Sequence, residues 1–498
     1  MLMLKYVIIQ AGGKGTRLGK YTFNKPKALL SINGRPLILN TMSTFHDAFF
    51  IIIGDYKYEV LRDYLRTFTK EKYVLLRANS QGTCAGLQEA LRYIPSNTPF
   101  ILTWCDLYFD SEYKLPEISL NKSYVGLSGT FKCRWSFKDS KFVEEPSVEH
   151  GVAGFFIFPE KSIIQDVPKE GEFVKYLSNK RVEFKPITLH HVHEYGTEEE
   201  YEKLLDVGVS RPFNKITMYE DKVIKEPVDK KGLELARLEN LWYEYVQQKD
   251  YKKIPKIYST SPLTLQRLDA VHPFEKEPSE MVLRNIVSAL NELHCIQSKD
   301  LELASYYREY YQKTFERLYQ VKNIIPLSNN ENLKINGKAV PNPFYIEEDI
   351  SKELEKYYKE EFTIIHGDPT FSNTLVDKEN NVWFIDPRGY FGYTEVYGDP
   401  DYDFAKVYYS LVGNYDKFNR KKFKLKITDF EAELKIESNG YERFEELFFE
   451  IIGKEKKEKI KLLHAIIWLS LTTYAWDDFD MICGAFYNGA LKLAEVLR

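Results

Sequence analysis

A carboxylate and an amide stand at a spacing that suits phosphate chemistry in the segment HGDPTFSN, residues 366–373. Asp368 lies five residues before Asn373, and a second carboxylate, Asp386, follows the apolar run VWFI. A carboxylate beside a hydroxyl can accept its proton, while an amide oxygen and a second carboxylate can hold Mg²⁺. This spacing is typical of loops that carry out phosphoryl transfer. The competing interpretation is a turn in which Asp and Asn accept backbone N–H groups.

A second candidate site lies near the start of the chain, in AGGKGTRLGKYTFNKPKALL. Its glycines, Gly12, Gly13 and Gly15, leave backbone N–H groups open to phosphate oxygens because no side chain blocks the approach. Arg17 and Lys27 can add charge-assisted hydrogen bonds. The pattern indicates a site for a polyphosphate, with a spacing that is neither a Walker A loop nor a Rossmann fingerprint. A tight turn with basic flanks is the competing interpretation.

The elements that must position these residues differ along the chain. In the first part, the short apolar runs YVIIQ, FFIIIG, YVLLRA and FILTW alternate with amphipathic helical stretches. This alternation predicts βαβ units and a mostly parallel sheet, whose ligands bind at the carboxyl ends of the strands. The glycine loop and Asp106 both directly follow a predicted strand.

From about residue 208 the pattern changes. NKITMYEDKVIKEP predicts two strands and LELARLENLWYEYVQQ predicts a helix. From Pro273 onward the chain is predicted to be mainly helical, interrupted by a loop and two short strands around HGDPTFSNTLV and VWFIDP. We therefore expect a small β-rich lobe, a larger helical lobe and a cleft between them. The polar stretch SNNENLKINGKAVPNP predicts a loop or an insertion.

Composition places the chain among ordinary globular proteins and argues against several partners. Its 498 residues are more than a single hydrophobic core usually accommodates, so two or three domains are expected. A net charge of −4 gives no support for nucleic acid as a partner. Five scattered cysteines and the lack of a signal-peptide pattern predict a cytoplasmic location. The apolar segment HAIIWLSLTTYAW is too short to span a bilayer, so no membrane insertion is expected. The oligomeric state is not indicated.

GGKGTRL followed by NKPKALLSINGRPLI resembles the signature of the sugar nucleotidyltransferase superfamily. The resemblance implies a Rossmann-like α/β domain that joins a nucleoside triphosphate to a phosphorylated metabolite and releases pyrophosphate. It implies that Gly12, Gly13 and Gly15 line the triphosphate. It also implies that Arg17 holds the departing pyrophosphate and that Lys27 bridges the reacting phosphates, where cations stabilise the growing charge.

QGTCAGLQEAL resembles the base-recognition segment of the same superfamily. The resemblance makes Gln81, Gly82 and Thr83 candidates for contacts with the nucleobase. Both cytidine and guanosine nucleotides have precedents in the superfamily, so the base stays open.

Asp106 in WCDLYF matches the metal-binding aspartate of the superfamily, and its carboxylate suits Mg²⁺. The second metal aspartate of the sugar enzymes is replaced here by Glu194, in EYGT. The lysine that often meets the sugar phosphate is also replaced, because Glu145 in VEEPS takes its place. The second replacement favours an acceptor other than an ordinary hexose 1-phosphate.

HGDPTFSN, the later IDP and the segment GDPDYDFAK resemble the aminoglycoside phosphotransferase and choline kinase family. These are small-molecule kinases with a two-lobed protein-kinase-like fold. The resemblance implies that Asp368 is the catalytic base and that Asn373 and Asp386 are magnesium ligands. His366 and Asp403 would support the loop.

The small lobe resembles the same family. Lys225 in KVIKEP would bind the phosphates of ATP, with Glu239 on the following helix as its ion-pair partner. Glu234 and Glu244 are alternative partners. SRPFNK stands where a protein kinase has its GxGxxG loop, and there is no DFG or APE element, so a protein substrate is not expected.

The two resemblances together predict an α/β fold class. A Rossmann-like, mostly parallel-sheet nucleotidyltransferase domain, residues 1–208, would be followed by a two-lobed protein-kinase-like (α+β) domain. The small β-rich lobe would span 209–272 and the helical lobe with the catalytic loop 273–498.

The predicted function is that of a bifunctional magnesium-dependent enzyme. It would phosphorylate a hydroxyl of a small metabolite with ATP. It would then couple the product to a second nucleoside triphosphate, CTP or another, giving an NDP-activated sugar or a CDP-amino-alcohol-type precursor for surface glycans or headgroups. A sugar and an amino alcohol both fit as the substrate. The alternatives are a nucleotide-sensing or scaffold protein with one inactive domain, and an antibiotic-type phosphotransferase fused to an independent nucleotidyltransferase.

Overall fold

The computed structural model describes residues 4–206, 214–358 and 361–497. The chain divides into two compact units. The first comprises residues 1–207 together with 477–479, and the second comprises 208–476 together with 480–498. The predicted domain boundary at residue 208 and the start of SRPFNK lie outside the described residues, so the domain bounds stay predictions.

The described part of the first unit is built on a seven-stranded sheet. In spatial order its strands are Phe184–Leu189, Ser123–Ser128, Val152–Phe158, Phe100–Trp104, Tyr6–Gln10, Phe49–Gly54 and Tyr73–Arg77. Val152–Phe158 runs antiparallel to both neighbours, and every other neighbouring pair is parallel. Of the runs that predicted strands, Tyr6–Gln10, Phe49–Gly54 and Phe100–Trp104 are interior strands and Tyr73–Arg77 is an edge strand. Their apolar character fits a parallel sheet whose faces are both covered. The predicted mostly parallel sheet is confirmed.

Helices and short hairpins surround this sheet. The α-helices are Leu37–Thr44, Tyr58–Phe68, Leu87–Ala90, Phe173–Ser178 and Glu198–Asp206. The 3₁₀ turns are Thr16–Thr22, Lys27–Leu29, Leu91–Tyr93 and Lys161–Ile164. The hairpins pair Ser31–Ile32 with Arg35–Pro36, Ser136–Lys138 with Lys141–Val143, and Leu107–Phe109 with Val192–Glu194. Helix Tyr58–Phe68 buries Leu61, Tyr64 and Leu65, the spacing of one helical face.

The second unit contains a four-stranded antiparallel sheet in its described part. In spatial order the strands are Asn214–Met218, Lys222–Pro227, Leu263–Gln266 and Ile257–Thr260. Helix Lys230–Gln248 follows the second of these strands along the chain and begins where the Asp229 side chain accepts a hydrogen bond from Gly232 N. Its buried face carries one charged residue, Glu239, which is 5% exposed.

The remainder of the second unit is mainly helical. Its α-helices are Glu280–His294, Leu303–Tyr307, Lys313–Val321, Glu347–Glu355, Pro400–Leu411, Tyr415–Asn419, Glu445–Ile452, Lys457–Ser470 and Phe479–Val496, with a π turn at Arg308–Gln312. The 3₁₀ turns are Pro273–Glu275, Pro343–Tyr345, Phe371–Asn373, Tyr441–Phe444 and Lys454–Lys456. Across the described ranges, no helix combines the length and the apolar character needed to cross a membrane. The predicted combination of a small sheet and a helical lobe is confirmed.

Short strands interrupt the helices of this unit. Thr374–Val376 pairs with Val382–Phe384, as the sequence predicts. Ser298–Asp300, Glu361–Ile364 and Tyr397–Gly398 form another small sheet, and Tyr390–Phe391 pairs with Thr394–Glu395.

The loop predicted at SNNENLKINGKAVPNP is wrong. Asn332–Ile335 and Lys338–Pro341 form a hairpin whose turn, Asn336-Gly337, has positive φ at both positions. Asn-Gly between two alternating segments is a strong hairpin signal, which the polar composition obscured. The strands Phe423–Ile427 and Ala432–Ile436 complete a four-stranded sheet with this hairpin.

Candidate functional sites

The glycine loop of the first unit leaves the central strand Tyr6–Gln10 at its carboxyl end. Gly15 has φ +63°, and a Cβ there would lie 3.2 Å from Leu18 Cδ1 and from Lys27 Cβ. A Cβ on Gly13 would meet no described atom within 4 Å, so the backbone there is open to a ligand. The loop is tied down because Lys27 N donates to Gly13 O at 3.3 Å.

Lys27 lies between the two carboxylates that the sequence proposes as metal ligands. Its Nζ is 3.0 Å from Asp106 Oδ2 and 3.4 Å from Glu194 Oε1. The two carboxylates meet because Glu194 pairs with Leu107, the residue after Asp106, in the hairpin of Leu107–Phe109 and Val192–Glu194. Burial alone would lower the pKa of Lys27, but the charges of Asp106 and Glu194 outweigh it and raise the pKa.

The same two carboxylates fit a magnesium ion. Burial, and then the nearby charge of Asp106, raise the pKa of Glu194. Asp106 Oδ1 is buried and has no hydrogen-bond partner among the described residues. Nowhere in those residues do three or more His, Cys, Asp or Glu side chains form a metal cluster. Mg²⁺ would therefore complete its shell with phosphate oxygens and water, as it commonly does.

The remaining predicted residues of the first unit are more dispersed. Arg17 is 72% exposed, and its Nη2 is 4.0 Å from Glu194 Oε1. Gly82 and Thr83 line a cavity of about 390 Å³ together with Gly12, Gly13, Lys27 and Asp106, whereas Gln81 is exposed and does not line it. The structure thus gathers Gly12, Gly13, Lys27, Asp106 and part of the predicted base segment around one cavity, whereas Gly15, Arg17 and Glu194 do not line it.

Two residues of this cavity were missed by the sequence analysis. Gln10 donates from Nε2 to Thr83 O at 2.8 Å and so holds the predicted base segment in place. Trp104 also lines the cavity, and its buried Nε1 has no hydrogen-bond partner among the described residues. Its indole lies against Gly154, whose φ is +79°, and a Cβ at Gly154 would overlap the ring. Both missed residues end a strand, which is the only signal the sequence offered.

In the second unit the segment HGDPTFSN forms a compact loop. Asn373 Nδ2 donates to Asp368 Oδ2 and to Asp368 O, both at 2.9 Å. Asp386 follows the strand Val382–Phe384 and has φ +55°, a left-handed conformation that is uncommon outside glycine. Lys225 Nζ lies 3.0 Å from Asp386 Oδ1. The structure therefore brings these predicted side chains to one place, and an amide and a carboxylate there suit Mg²⁺.

Lys225 has a second carboxylate partner on helix Lys230–Gln248. Its Nζ lies 2.8 Å from Glu239 Oε2. Of the three acidic residues considered from the sequence, Glu239 forms this pair, whereas Glu244 accepts from Thr260 Oγ1 at 2.9 Å. Burial would lower the pKa of Lys225, but the charges of Asp386 and Glu239 raise it.

His366 and Asp403 support the loop of residues 366–373 through hydrogen bonds. Asp403 accepts hydrogen bonds from the backbone N of His366 at 2.8 Å and of Gly367 at 2.7 Å. A ring nitrogen of His294 also lies 3.0 Å from Asp403 Oδ2. Burial lowers the pKa of His366, which favours a neutral ring at the centre of the loop. These contacts suit a supporting role.

Several residues around Asp368 were not predicted from the sequence. Lys406, in the segment GDPDYDFAK, places its Nζ 3.0 Å from Asp368 Oδ1. A cavity of about 200 Å³ lies beside this pair. It is lined by Lys225, Glu239, Asp368 and Asp386 and by four cations that were not selected, Lys313, Arg317, Arg388 and Lys406. Lys313 and Arg317 lie one turn apart on helix Lys313–Val321, Lys406 lies on helix Pro400–Leu411 and Arg388 lies in a loop. No local spacing in the sequence therefore joins all four.

Family models match both units. Residues 7–114 match the MobA-like NTP transferase domain, and residues 237–426 match the phosphotransferase enzyme family. The chain joins an NTP transferase domain to a phosphotransferase domain. The predicted families, and the predicted enzyme class of a nucleotidyltransferase combined with a kinase, are thereby confirmed.

Individual proteins show only distant similarity to this chain. Mannose-1-phosphate guanyltransferase 2 of Candida glabrata is 26% identical over 289 residues, covering 56% of this chain and 70% of that protein. HddC from Yersinia pseudotuberculosis is a solved structure with 22% identity and a TM-score of 0.33, covering 40% of this chain and 97% of its own. The inositol-1-phosphate CTP transferase from T. maritima has 15% identity and a TM-score of 0.33, covering 42% and 98%. Likenesses this distant do not bear on the substrate.

Proposed function

We propose that this NTP transferase–phosphotransferase chain carries out two consecutive steps. Its second unit phosphorylates a hydroxyl of a small metabolite with ATP, and its first unit couples the phosphorylated product to a nucleoside triphosphate. The observation that carries the proposal is a lysine held between two carboxylates beside a cavity in each unit. The activated product would serve surface glycan or headgroup synthesis, in the cytoplasm.

In the first step, the acceptor oxygen forms a bond to the γ-phosphorus of ATP, and the bond from that phosphorus to the β–γ bridging oxygen breaks. ADP leaves with the bonding electrons, and the proton of the hydroxyl passes to Asp368. Lys225 and Lys406 offset the charge on the phosphates, since each is already placed by a carboxylate. Asn373 and Asp386 would hold Mg²⁺, whose charge would neutralise the phosphates when it is bound.

In the second step, a phosphate oxygen of the phosphorylated metabolite forms a bond to the α-phosphorus of the triphosphate. The bond from that phosphorus to the α–β bridging oxygen breaks, and pyrophosphate leaves with the electrons. Lys27 faces the reacting phosphates, and the exposed Arg17 takes the pyrophosphate. Asp106 and Glu194 would hold Mg²⁺, and Gly82 and Thr83 would contact the base. Glu145, which pairs with Lys138 at 3.1 Å, is unsuited to hold a sugar phosphate.

Product analysis by mass spectrometry tests both steps. The protein is incubated with Mg²⁺, ATP, the other nucleoside triphosphates and a pool of sugars, amino alcohols and hydroxy acids. Asp368→Asn and Asp106→Asn are run beside the wild type. We expect a nucleoside-diphosphate conjugate from the wild type, only the phosphorylated acceptor from Asp106→Asn, and neither product from Asp368→Asn. A conjugate formed by Asp368→Asn at the wild-type rate would exclude the proposed order of steps.

A further inference from the structure

The lining of the cavity beside Asp368 contains five cations and four carboxylates, and three of the cations form a group around a single carboxylate. Lys313, Arg317 and Arg388 face it, and Glu309 is the one carboxylate described in that group. Buried charges in proteins are normally paired. A surplus of positive charge in a cavity that also contains the proposed catalytic base therefore indicates a negatively charged ligand.

Glu309 is already shared by two of the three cations. It is 2% exposed, and both Nη atoms of Arg388 donate to it, one of them at 2.9 Å to Oε2. Lys313, four residues further along the chain, also pairs with it. The hydrogen bonds of Glu309 therefore go to Arg388 and Lys313, and Arg317 feels its charge without contacting it directly.

Arg317 has no carboxylate partner among the described residues. Its Nη1 donates to Ser470 O at 2.7 Å and to Ser470 Oγ at 3.1 Å, which are neutral acceptors. Burial lowers the pKa of Arg317, and the nearby charge of Arg388 lowers it further. A guanidinium offers several donors in a plane, a geometry that matches a carboxylate or a phosphate. Tyr409, which also lines the cavity, has a buried hydroxyl with no partner among the described residues.

A cationic acceptor finds little to bind in the same cavity. Asp368 pairs with Lys406, and Glu239 and Asp386 pair with Lys225. Two of the tyrosine rings already receive cations, because Arg388 Cζ lies 4.0 Å from the centroid of the Tyr390 ring and Lys406 Nζ lies 5.5 Å from that of Tyr409. The carboxylates and these aromatic faces that would recognise an amine are thus occupied.

We propose that the phosphoryl acceptor of the second unit carries a carboxylate or a phosphate, which Arg317 binds with help from Lys313 and Arg388. The proposal rests on the kinase function proposed above and narrows its substrate class. The acceptor is a small anionic hydroxy compound, because the cavity of about 200 Å³ is below the roughly 300–1,000 Å³ of pockets for drug-sized ligands.

Matched acceptors test the charge preference. ADP formation is measured with glycerate against glycerol, and with gluconate against glucitol and glucosamine. We expect kcat/KM for the best anionic acceptor to exceed that of its neutral and cationic counterparts by at least about tenfold, or roughly 1.4 kcal/mol. A neutral or cationic acceptor that outperforms its anionic counterpart would overturn this inference and leave the kinase function standing.

Arg317→Met is the decisive variant, with Arg284→Met, an exposed arginine paired with Glu280, as the matched control. Arg317→Met is expected to raise KM for the anionic acceptor at least about tenfold, while KM for ATP and the control stay unchanged. An unchanged acceptor KM in Arg317→Met would contradict the proposal.

Binding of an inorganic anion provides a test that needs no turnover. Sulfate is titrated into the full chain saturated with Mg²⁺ and a non-hydrolysable ATP analogue, and the unfolding temperature is followed. We expect a saturable rise in wild type and in Arg284→Met that is lost in Arg317→Met. Equal rises in all three proteins would refute the anion site. A lack of phosphoryl transfer to any acceptor would count against the kinase function instead, and the sulfate titration would still decide the anion site.

Discussion

Lys27 in the first unit and Lys225 in the second are each held by two carboxylates, but the carboxylates come from different kinds of element. Both partners of Lys27 come from one small hairpin region. Glu194 lies in a strand of that hairpin, and Asp106 immediately precedes Leu107, the residue that pairs with Glu194. Lys225 is held from two sides, by Glu239 on a long helix and by Asp386 after a strand. In the first unit the two negative charges come from one small region of the chain, whereas in the second they come from two separate elements.

The difference indicates what each lysine does when substrates bind. In the first unit both carboxylates are the proposed magnesium ligands, so we expect Lys27 to act as their counter-charge when no metal is bound. In the second unit only Asp386 is a proposed ligand, and the buried Glu239 keeps Lys225 in place throughout. Removing the carboxylate of Glu239 should therefore disturb the position of Lys225. Removing that of Asp106 or Glu194 should instead lower the affinity for Mg²⁺.

The largest effect is expected for Asp368→Asn. An amide cannot accept the proton of the acceptor hydroxyl, so kcat for phosphoryl transfer should fall by about 10³-fold, within the usual range for a general base. Nucleotidyl transfer to an acceptor supplied already phosphorylated should be unchanged. Separate assays of ADP and pyrophosphate release measure the two steps, with the exposed Asp429→Asn as control. Loss of both activities together would show that the units are not independent.

Asp106→Asn should have the opposite pattern, with nucleotidyl transfer impaired and phosphoryl transfer unchanged. Loss of a metal-ligating carboxylate is expected to slow pyrophosphate release by about 100-fold, because a bound metal contributes several kcal/mol to transition-state charge stabilisation. ADP release should stay at the wild-type rate. Asp47→Asn, an exposed position with φ +69° that tolerates asparagine, is the matched control. Unimpaired pyrophosphate release would remove Asp106 from the proposed site.

Glu239→Gln tests whether the helix carboxylate holds Lys225 in place. Lys225 would keep Asp386 as a partner but lose its anchor, so we expect an increase of about tenfold in KM for ATP, comparable to other losses of a supporting group. Kinase assays at varied ATP concentration measure this change. Glu234→Gln, an exposed position on the same helix, provides the control. If the two variants behave alike, the anchoring role of Glu239 is wrong.

The smallest effect concerns pH in the first unit. The pKa of Glu194 is raised, so its proton competes with Mg²⁺ as the pH falls from neutrality towards the ordinary glutamate value of 4.5. The magnesium concentration for half-maximal nucleotidyl transfer should therefore rise more steeply on acidification in wild type than in Glu194→Gln. We expect a difference of a few fold in titrations at several pH values. Parallel curves for the two proteins would argue against Glu194 as a ligand, and Glu199→Gln should follow wild type.

The sequence predicted the parts of the molecule whose signals are local. Apolar runs between helical stretches gave the parallel sheet, and the spacing of Asp368 and Asn373 placed both in one loop. The antiparallel course of Val152–Phe158 was not predicted, because strand direction depends on long-range pairing rather than on local composition. The hairpin at Asn336-Gly337 was missed for a different reason, since polarity was given more weight than turn chemistry.

Residues of the sites were missed where several distant segments converge. Lys406, Arg317 and Arg388 lie far apart in sequence, and each alone resembles an ordinary surface cation. Trp104 was also passed over, since a tryptophan that ends a strand is usually a core residue. Only the folded chain shows that these side chains face the same cavities as the predicted ones.

The contact between Trp104 and Gly154 limits how the cavity of the first unit can change its shape. Gly154 lies where the register of Val152–Phe158 shifts, in a backbone conformation that side chains rarely adopt. A side chain there would overlap the indole, so the ring keeps its place at the cavity only while residue 154 is a glycine. Variation among descendants of this protein, or in a laboratory library, can reshape the cavity more readily at other lining residues, such as Thr83.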